Sequence, residues 1–323
     1  MKNVIKKIIK KIFIVLDILL FPLVFVSALL LGFVRRFGVA AFPACRAALL
    51  KAGVMPVINH YYEPLFDERN LRKPLSEERG LPGIDWNIKE QLALLSSFNY
   101  EKELEGVPFE RRGDLDFYFS NPSFKAGDAE YWYAIIRHFK PANIIEIGSG
   151  NSTKMAVMAI NKNREEDPAY ECSHICVEPY EMPWLEKTGV KVIREKAETV
   201  NINIFRRLKE NDILFIDSSH MIRPQGDVLF EYLELLPVLN KGAIVHIHDI
   251  FSPRDYPKSW LIKSALFWNE QYLLEAFLTM NKDYSIIGAL NYLHHRHYEM
   301  LKEKCPKLTR DCEPGSFYIK KIN

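Results

Sequence analysis

The sequence predicts an α/β fold, in which a sheet of seven mostly parallel strands carries helices on both faces. An N-terminal membrane helix or re-entrant hairpin is predicted to precede it. Three observations lead to this prediction: short apolar runs alternate with helical stretches after residue 114, a glycine turn follows the first of these runs, and a long apolar segment lies near the N-terminus. Alternation of this kind is typical of a parallel sheet covered by helices.

Composition and charge describe an ordinary globular chain. Of 323 residues, 48% are apolar and 26% are charged, and 43 Lys and Arg balance 41 Asp and Glu to a net charge of +2. So small a charge gives no support for a nucleic-acid partner, and we expect none. The five cysteines are odd in number and lack the paired spacings of zinc sites, which predicts reduced thiols in a reducing compartment.

Residues 12–34 form an apolar segment that is long enough to span a bilayer, with Asp17 as its only charge. Lysines precede it and Arg35 and Arg36 follow it, so the charge rule says little about orientation. Pro22 removes a helix hydrogen bond and Asp17 is costly at the bilayer centre. A spanning helix and a hairpin that returns both ends to the cytosolic face therefore both stay open, whereas a cleaved signal peptide is least expected.

Changes in composition predict three regions. Residues 1–58 are expected to anchor the chain, with the apolar segment followed by an amphipathic stretch at 37–57 that is either interfacial or packed on the soluble domain. Residues 59–113 are polar and contain prolines, which predicts a linker with short helices. Residues 114–323 are expected to form the α/β domain.

The elements of the α/β domain follow from periodicity and chain breaks. Strands are predicted at 144–147, 175–178, 190–193, 213–217, 243–248, 284–290 and 315–322. Helices are predicted at 88–95, 128–139, 153–161, 203–209, 228–239 and 260–280. Because a loop is expected between the last two strands, they are predicted to pair antiparallel at one edge of the sheet.

The run at residues 144–153 is the most informative motif, because an apolar strand leads into a glycine turn and then into a helix. Gly148 and Gly150 allow the backbone to turn tightly and to approach a ligand beside a helix N-terminus. A dinucleotide fingerprint would have a third glycine where this chain has Thr153. The motif therefore predicts a ligand other than a closely held diphosphate.

Acidic and imidazole side chains follow several of the predicted strands. Glu178 ends the second strand, where a carboxylate can accept hydrogen bonds from both hydroxyls of a ribose. Asp217 and His220 follow the fourth strand, and His248 and Asp249 follow the fifth. Because ligands bind outside the carboxyl ends of parallel strands, we expect these side chains to meet in one crevice.

These motifs occur together in one known group of enzymes. They are Gly127-Asp128-Ala129-Glu130, Glu146-x-Gly148-x-Gly150-x-Ser152-Thr153, Val177-Glu178-Pro179, Asp217-x-x-His220 and His248-Asp249. As a set they resemble the class I S-adenosylmethionine-dependent methyltransferases, within them the methyltransferase type 24 family, which is related to macrocin-type sugar O-methyltransferases. The resemblance covers about residues 115–323. It implies a Rossmann-like fold and methyl transfer from S-adenosylmethionine to a hydroxyl, of a sugar or a lipid-linked glycan.

The resemblance also implies roles for single residues. The residues expected to bind the donor are Asp128, Glu146, Gly148, Gly150, Ser152, Glu178 and Asp217. His220 is expected to be the base, with His248 and Asp217 as further catalytic residues, and Asp217 and Asp249 are expected to hold a magnesium ion. His248 stands where the family has another acid, and because Mg²⁺ prefers oxygen ligands this departure leaves the metal open.

The chemistry and the compartment agree with this interpretation. Transfer to a hydroxyl requires removal of its proton, which a histidine can accept near neutral pH. S-adenosylmethionine is made in the cytosol, so we expect a membrane-associated protein whose catalytic domain lies there. Two alternatives stay open: a cofactor-binding membrane scaffold without turnover, and a metal-dependent hydrolase that uses His246, His248 and Asp249.

Some aromatic residues and one histidine cluster lie outside these motifs. Tyr256 and Trp260 are expected either to contact the acceptor or to pack in the core. The aromatic residues 131–133 are expected in the core, and the histidine cluster at 294–297 is expected in a solvated loop after the sixth strand.

Overall fold

The computed structural model describes residues 2–180 and 182–323, with the backbone alone for residues 2–6. The chain divides into two compact units, Met1–Arg72 and Lys73–Asn323. The second unit begins inside the segment for which the sequence predicted a linker, and each unit is described in turn.

The first unit contains one long helix, α1 (Lys2–Arg36), which runs through Pro22 without a break. Most apolar side chains at residues 12–33 are exposed, among them Leu19 at 71% and Phe21 at 66%. The stretch Lys7–Arg36 is long and apolar enough to cross a membrane, judged by length and composition. The helix continues through Pro22, whereas the hairpin alternative requires a bend there.

A second helix of the first unit, α2 (Pro43–Ala52), lies within the predicted amphipathic stretch. It begins at a proline, whose missing N–H is not needed in the first turn, and it ends at Gly53 in the left-handed conformation. None of its residues is buried.

The second unit is built on a seven-stranded sheet with the order β3-β2-β1-β4-β5-β7-β6. Its strands are β1 (Asn143–Ile147), β2 (Ser173–Val177), β3 (Lys191–Ile193), β4 (Ile213–Ile216), β5 (Ile244–Ile247), β6 (Tyr284–Ala289) and β7 (Phe317–Lys321). Strands β1 to β5 are parallel, and β7 pairs antiparallel with both β5 and β6. The predicted fold class is confirmed, and every strand lies within two residues of its predicted bounds.

Helices cover both faces of this sheet. They are α3 (Ile88–Ser97), α4 (Asp128–Phe139), α5 (Asn151–Glu166), α6 (Asp227–Phe230), α7 (Glu270–Leu278), α8 (Leu290–Arg296) and α9 (Tyr298–Lys304). Helix α4 has its predicted bounds. The helix predicted at 203–209 is a 3-10 helix, Ile202–Arg207.

Two predicted helices are interrupted in the structure. The helix at 228–239 is α6 followed by a π-helical turn and a 3-10 turn, since Pro237 has no backbone N–H to continue an α-helix. The helix at 260–280 is a π-helical turn, Ser259–Lys263, then an irregular segment, then α7. This interruption matters for the site, because it allows residues 268–270 to contact the end of β4.

Between β6 and β7 the prediction of a loop was wrong, because α8 and α9 lie there. Leu290, Leu293 and Leu301 are fully buried, and this helical spacing places one face of the pair against the core. His294 lies in α8 and is buried, and His295 Nε2 is 3.0 Å from Glu313 Oε2. The histidine cluster is therefore not in a solvated loop.

The core consists of two apolar clusters. Residues 131–133 are buried in the first cluster, as predicted. Leu95, Phe98 and Leu104 are buried in the same cluster. Residues 73–113 therefore pack as part of the second unit and differ from the linker that their polar composition suggested.

Candidate active site

The turn after β1 needs a glycine at position 148. Gly148 has φ +75°, and its N–H donates to Val177 O at 3.0 Å. A Cβ atom there would lie 1.9 Å from the carbonyl oxygen of Asp217, a distance that no side chain tolerates. Gly150 has extended φ, and an added Cβ would meet Met182 Cε at 3.9 Å, an ordinary contact. Of the two glycines expected to allow the tight turn, only Gly148 is required by its backbone.

Glu146 lies behind this turn and is fully buried. Its Oε2 accepts hydrogen bonds from Ser152 Oγ at 2.9 Å and Thr153 Oγ1 at 3.0 Å, and its Oε1 is 2.5 Å from His174 Nε2. Ser152 is also buried, with 4% of its surface exposed. Glu146 and Ser152, which were expected to contact the donor, instead connect β1, β2 and the start of α5 beneath the turn.

A cleft of about 300 Å³ opens at the carboxyl ends of β1, β2 and β4. Gly148, Glu178 and Asp217 line it, so the strand ends meet as the sequence analysis expected. Glu178 Oε1 accepts from the N–H of Tyr180 at 3.0 Å. Further lining residues that the sequence analysis did not single out are Lys196, Glu198, Arg223 and Asp227. The four carboxylates outnumber the two basic side chains, which favours a ligand with a positive charge.

Two histidines and two aspartates lie together beside the cleft. His220 Nε2 is 3.2 Å from Asp217 Oδ1 and 3.6 Å from Asp249 Oδ2. His248 Nδ1 is 3.5 Å from Asp217 Oδ1 and 3.4 Å from Asp249 Oδ1. The Asp217 side chain is 30% exposed, whereas those of the histidines are at most 5% exposed. A ligand in the cleft therefore reaches this group through Asp217.

Each charge in this group is balanced by its neighbours. Burial opposes ionisation of Asp217, but His248 and His220 hold its pKa well below the usual range. Burial raises the pKa of Asp249 to about 6, and the same histidines limit this rise. Burial also opposes protonation of His220, but hydrogen bonds to Asp217 and Glu270 hold its pKa well above the usual value. The pKa of His248 is raised for a similar reason, by Asp249 and Asp217 against the effect of burial.

Asp217, His248 and Asp249 can each offer one ligand atom, and these atoms lie within 4.8 Å of one another. Within the described part of the chain, both ring nitrogens of His248 are buried without a hydrogen-bond partner. Its Nδ1 faces the two carboxylates, so the group fits a divalent cation. A set of two oxygens and one imidazole nitrogen suits ions such as Mn²⁺ better than Mg²⁺, which prefers oxygen alone.

Asp128, expected to bind the donor, lies at the start of α4 and is 6% exposed. Its Oδ1 accepts from the N–H groups of Gly315 at 3.0 Å and Ser316 at 2.7 Å. Its Oδ2 is 3.7 Å from His248 Nε2. Asp128 therefore joins α4 to the entry of β7 and supports His248, and it does not line the cleft described above.

His220 is held by a segment that the sequence analysis did not single out. Its Nδ1 is 2.8 Å from Glu270 Oε2, and its ring centroid lies 4.3 Å from that of Trp268. Its carbonyl oxygen accepts from the N–H groups of Asn269 at 3.0 Å and Glu270 at 3.2 Å. These contacts join positions about 50 residues apart, so no local pattern in the sequence indicates them.

His246 does not belong to this group. Its ring stacks on Tyr318 at a centroid distance of 4.1 Å and also packs against Trp132 and Phe215. Burial lowers its pKa well below the usual value, and neither ring nitrogen has a hydrogen-bond partner among the described residues. The hydrolase alternative required His246 to act together with His248 and Asp249. The rings of His246 and His248 are neighbours, with centroids 6.3 Å apart, but the ring of His246 packs among aromatic side chains, and the ligand atoms that lie together come from Asp217, His248 and Asp249.

The segment after β5 mixes packing and exposed residues. Tyr256 is fully buried, and its hydroxyl accepts from the N–H of Gln271 at 3.0 Å, so it packs in the core. Trp260 is partly exposed and lies 5.2 Å from Trp268, measured between ring centroids. Because Trp268 contacts His220, this pair of indoles borders the group of titratable residues.

Part of the chain is similar to known proteins. Residues 145–250 match the family Methyltransf_24, described as a methyltransferase domain. A relative from Archaeoglobus fulgidus, an uncharacterized protein, is 28% identical over an alignment of 167 positions that covers 48% of this chain and 74% of that protein.

Two solved structures are also similar. The O-methyltransferase from Bacillus cereus in complex with SAH has 10% identity and a TM-score of 0.35, over 74% of this chain and 91% of that one. The MycE methyltransferase from the mycinamycin biosynthetic pathway, in complex with Mg, SAH and mycinamycin VI, has 15% identity and a TM-score of 0.34, over 59% of this chain and 50% of that one. Likeness at this level assigns no substrate.

Proposed function

We propose that this chain, whose residues 145–250 match a methyltransferase domain, moves a methyl group from S-adenosylmethionine to a hydroxyl of a sugar or lipid-linked glycan. The position of Asp217 is the observation that carries this proposal. Its side chain lines the cleft, and its Oδ1 lies 3.2 Å from His220 Nε2. A donor in the cleft would therefore have its reactive end next to a base.

On the donor side, S-adenosylmethionine supplies an electrophilic methyl group on a positively charged sulfur. The carboxylate of Glu178, at the tip of β2, is suited to accept hydrogen bonds from the two ribose hydroxyls. Glu198, farther along the same cleft beyond β3, is suited to accept from an adenine amino group. The excess of carboxylates in the cleft complements the charge of the sulfonium.

On the acceptor side, His220 in its neutral form accepts the hydroxyl proton at Nε2. Because Asp217 and Glu270 raise the pKa of His220 against the effect of burial, this form is favoured as the pH rises. The new carbon–oxygen bond forms as the methyl–sulfur bond breaks, and the sulfur leaves with the electron pair of that bond. Asp217, Asp249 and His248 would hold a divalent cation, which when bound lowers the pKa of the hydroxyl and orients it. Removal of the proton by a positioned histidine contributes about 10²-fold to 10⁴-fold to such a rate.

The proposal includes attachment to a membrane through α1. Its apolar core at residues 12–34 is about 34 Å long at 1.5 Å per residue, against a hydrocarbon thickness of about 30 Å. Attachment is useful when the acceptor is already on the membrane, as a lipid-linked glycan is. Because the donor is made in the cytosol, the catalytic unit is proposed to lie on that side.

The test uses the full chain in lipid nanodiscs. Binding of S-adenosylmethionine is measured by calorimetry, and S-adenosylhomocysteine formation is measured with lipid-linked glycans and with soluble sugars. We expect donor binding, turnover with the lipid-linked pool, and loss of turnover with retained donor binding in His220→Ala. Donor binding without turnover in any glycan pool would support the scaffold alternative, and failure to bind the donor would overturn the proposal.

A further inference from the structure

We propose that Glu270 is a positioning residue for His220, which fixes the imidazole so that Nδ1 carries a hydrogen and Nε2 faces the reacting hydroxyl. This inference rests on the proposed methyl transfer. Glu270 is the first residue of α7 and is fully buried. It is remote in sequence from the motifs of the methyltransferase domain and does not line the cleft described above.

Both oxygens of Glu270 are held by short contacts. Its Oε2 lies 2.8 Å from His220 Nδ1, and its Oε1 accepts from the Tyr232 hydroxyl at 2.9 Å. A carboxylate can only accept hydrogen bonds, so the imidazole must donate from Nδ1. The tautomer of a histidine is set by the hydrogen bond that its other nitrogen makes. Nε2 is thereby held on the opposite side of the ring, 3.2 Å from Asp217 Oδ1 and 3.6 Å from Asp249 Oδ2.

The backbone of His220 is held by the same segment. His220 has φ +56°, which is uncommon for a residue with a side chain and needs support from its surroundings. The N–H groups of Asn269 and Glu270 donate to its carbonyl oxygen, and Asn269 Oδ1 accepts from the N–H of Ile222 at 2.7 Å. The ring of Trp268 packs on the imidazole. Residues 268–270 therefore hold His220 on its ring and on its backbone.

The buried acids near His220 lower the stability of the folded chain, so a purely stabilising role does not explain them. Glu231 is a second fully buried acid, and its Oε2 accepts from Ser218 Oγ at 3.1 Å. Burial and the nearby charge of Glu270 raise its pKa well above the usual value. A buried carboxylate next to another buried acid costs stability unless hydrogen bonds compensate fully, and Glu231 Oε1 has no such partner within the described residues. A group retained at this cost is typical of a functional site.

The experiment compares Glu270→Ala and Glu270→Gln with a matched control, Glu275→Gln. Glu275 is a buried carboxylate of the same helix, but it pairs with Arg79 and Ser252 instead of His220. For each full-length variant we measure kcat, KM for the acceptor, the donor Kd and the melting temperature. A second readout is the downfield imidazole N–H proton resonance of His220, assigned by its loss in His220→Gln.

We expect Glu270→Ala to lower kcat about 10-fold to 100-fold with an unchanged donor Kd, by analogy with the loss found when hydrogen-bond partners of metal-ligating histidines are removed. Glu270→Gln should lose less, because its carbonyl oxygen can still accept from Nδ1. The N–H resonance should disappear in Glu270→Ala and persist in Glu275→Gln, whose kcat should stay within about 2-fold of the wild type even if its melting temperature falls.

The proposal is overturned if Glu270→Ala keeps both kcat and the resonance, or if kcat falls equally in Glu275→Gln in proportion to lost stability. The resonance reports on His220 without any turnover. If the wild type binds the donor but methylates no acceptor, the proposed function fails, and the presence or loss of the resonance still decides whether Glu270 positions His220.

Discussion

Gly148 and Asp217 contact each other through their backbones at the point where the first and fourth strands end. A Cβ atom on Gly148 would lie 1.9 Å from the carbonyl oxygen of Asp217, and the N–H of Asp217 donates to Ile147 O at 2.9 Å. The side chain of Asp217 then extends to His220. The turn that shapes the cleft and the residue that leads to the proposed base therefore cannot shift independently.

Gly148→Ala is expected to lower the free energy of unfolding by more than about 2 kcal/mol and to abolish donor binding, because it adds a clash to a strained positive φ. Thermal unfolding and calorimetry measure both effects. Gly150→Ala is the control, since its Cβ would make only an ordinary contact with Met182, and its stability should change by less than about 1 kcal/mol. Equal stability of the two variants would contradict the contact.

Glu178→Ala is expected to weaken the binding of S-adenosylmethionine about 10-fold to 100-fold, because the variant lacks the carboxylate proposed to accept hydrogen bonds from the ribose hydroxyls. Glu178→Gln keeps one acceptor oxygen and should lose less. Calorimetry measures both constants. Glu195→Gln, an exposed change on the loop after β3, serves as the control and should bind as the wild type does. Unchanged affinity in Glu178→Ala would mean that the ribose lies elsewhere.

A divalent cation is expected to bind at Asp217, His248 and Asp249, with Mn²⁺ bound more tightly than Mg²⁺, because the imidazole nitrogen suits the transition ion. The loss of the free Mn²⁺ signal in electron paramagnetic resonance measures binding without any turnover. Asp249→Asn should weaken the binding of both ions. His248→Asp, with oxygen ligands only, should shift the preference toward Mg²⁺, and an unshifted preference in that variant would show that His248 is not a ligand.

Glu130 should make the stability of the chain depend on pH. Burial raises its pKa to about 7 from the usual value of 4.5, although the N–H groups of Lys307 and Gly127 donate to it and oppose this rise. The folded state therefore binds this proton more tightly, so the contribution to stability is complete below about pH 4.5 and is lost as the pH rises through about 7.

Glu130→Gln removes this titration. Between pH 5 and pH 8, roughly, the difference in unfolding free energy between wild type and variant should fall by about 1–3 kcal/mol. Denaturant unfolding of the full chain in detergent measures it. Glu303→Gln, at an exposed position of α9, is the control, whose curve should stay parallel to that of the wild type. A constant difference between wild type and Glu130→Gln would contradict the prediction.

The orientation of the chain can be measured with protease in membrane vesicles of known sidedness. We expect the catalytic unit to be digested from the cytosolic face, where the donor is made, and to be protected in vesicles of the opposite sidedness. An N-terminal epitope should have the opposite accessibility, because α1 is continuous through Pro22. Accessibility of the epitope and the catalytic unit from one face would instead support the hairpin.

Periodicity and strand-end chemistry predicted the sheet and most of the side chains around the cleft. Apolar runs such as residues 144–147 have one stable arrangement, buried between helices, and the acids that end them then meet at one edge. The same reasoning failed for Glu146 and Ser152. Their motif positions are adjacent to the turn, but which side of it a side chain occupies depends on His174, which lies on the neighbouring strand.

The sequence pattern did not predict the contacts between segments that are far apart in the chain. Glu270 lies in a stretch that reads as one continuous helix, and only its interruption at residues 264–269 allows the contact with His220. Leu95 and Phe98 lie in a polar, proline-containing region, and their burial depends on a core made by other parts of the chain. In each case a contact with a residue far along the chain, and not the local sequence, determines the structure.

The antiparallel strand β7 lies between β5 and β6, although it is the last of the three to be synthesised. Until Phe317–Lys321 leaves the ribosome, β5 has an open edge and β6 lacks the neighbour with which it pairs. Such unpaired edges promote association with other chains. Completion of the catalytic unit must therefore wait for this final insertion, and a nascent chain that stalls before Phe317 would be a substrate for chaperones.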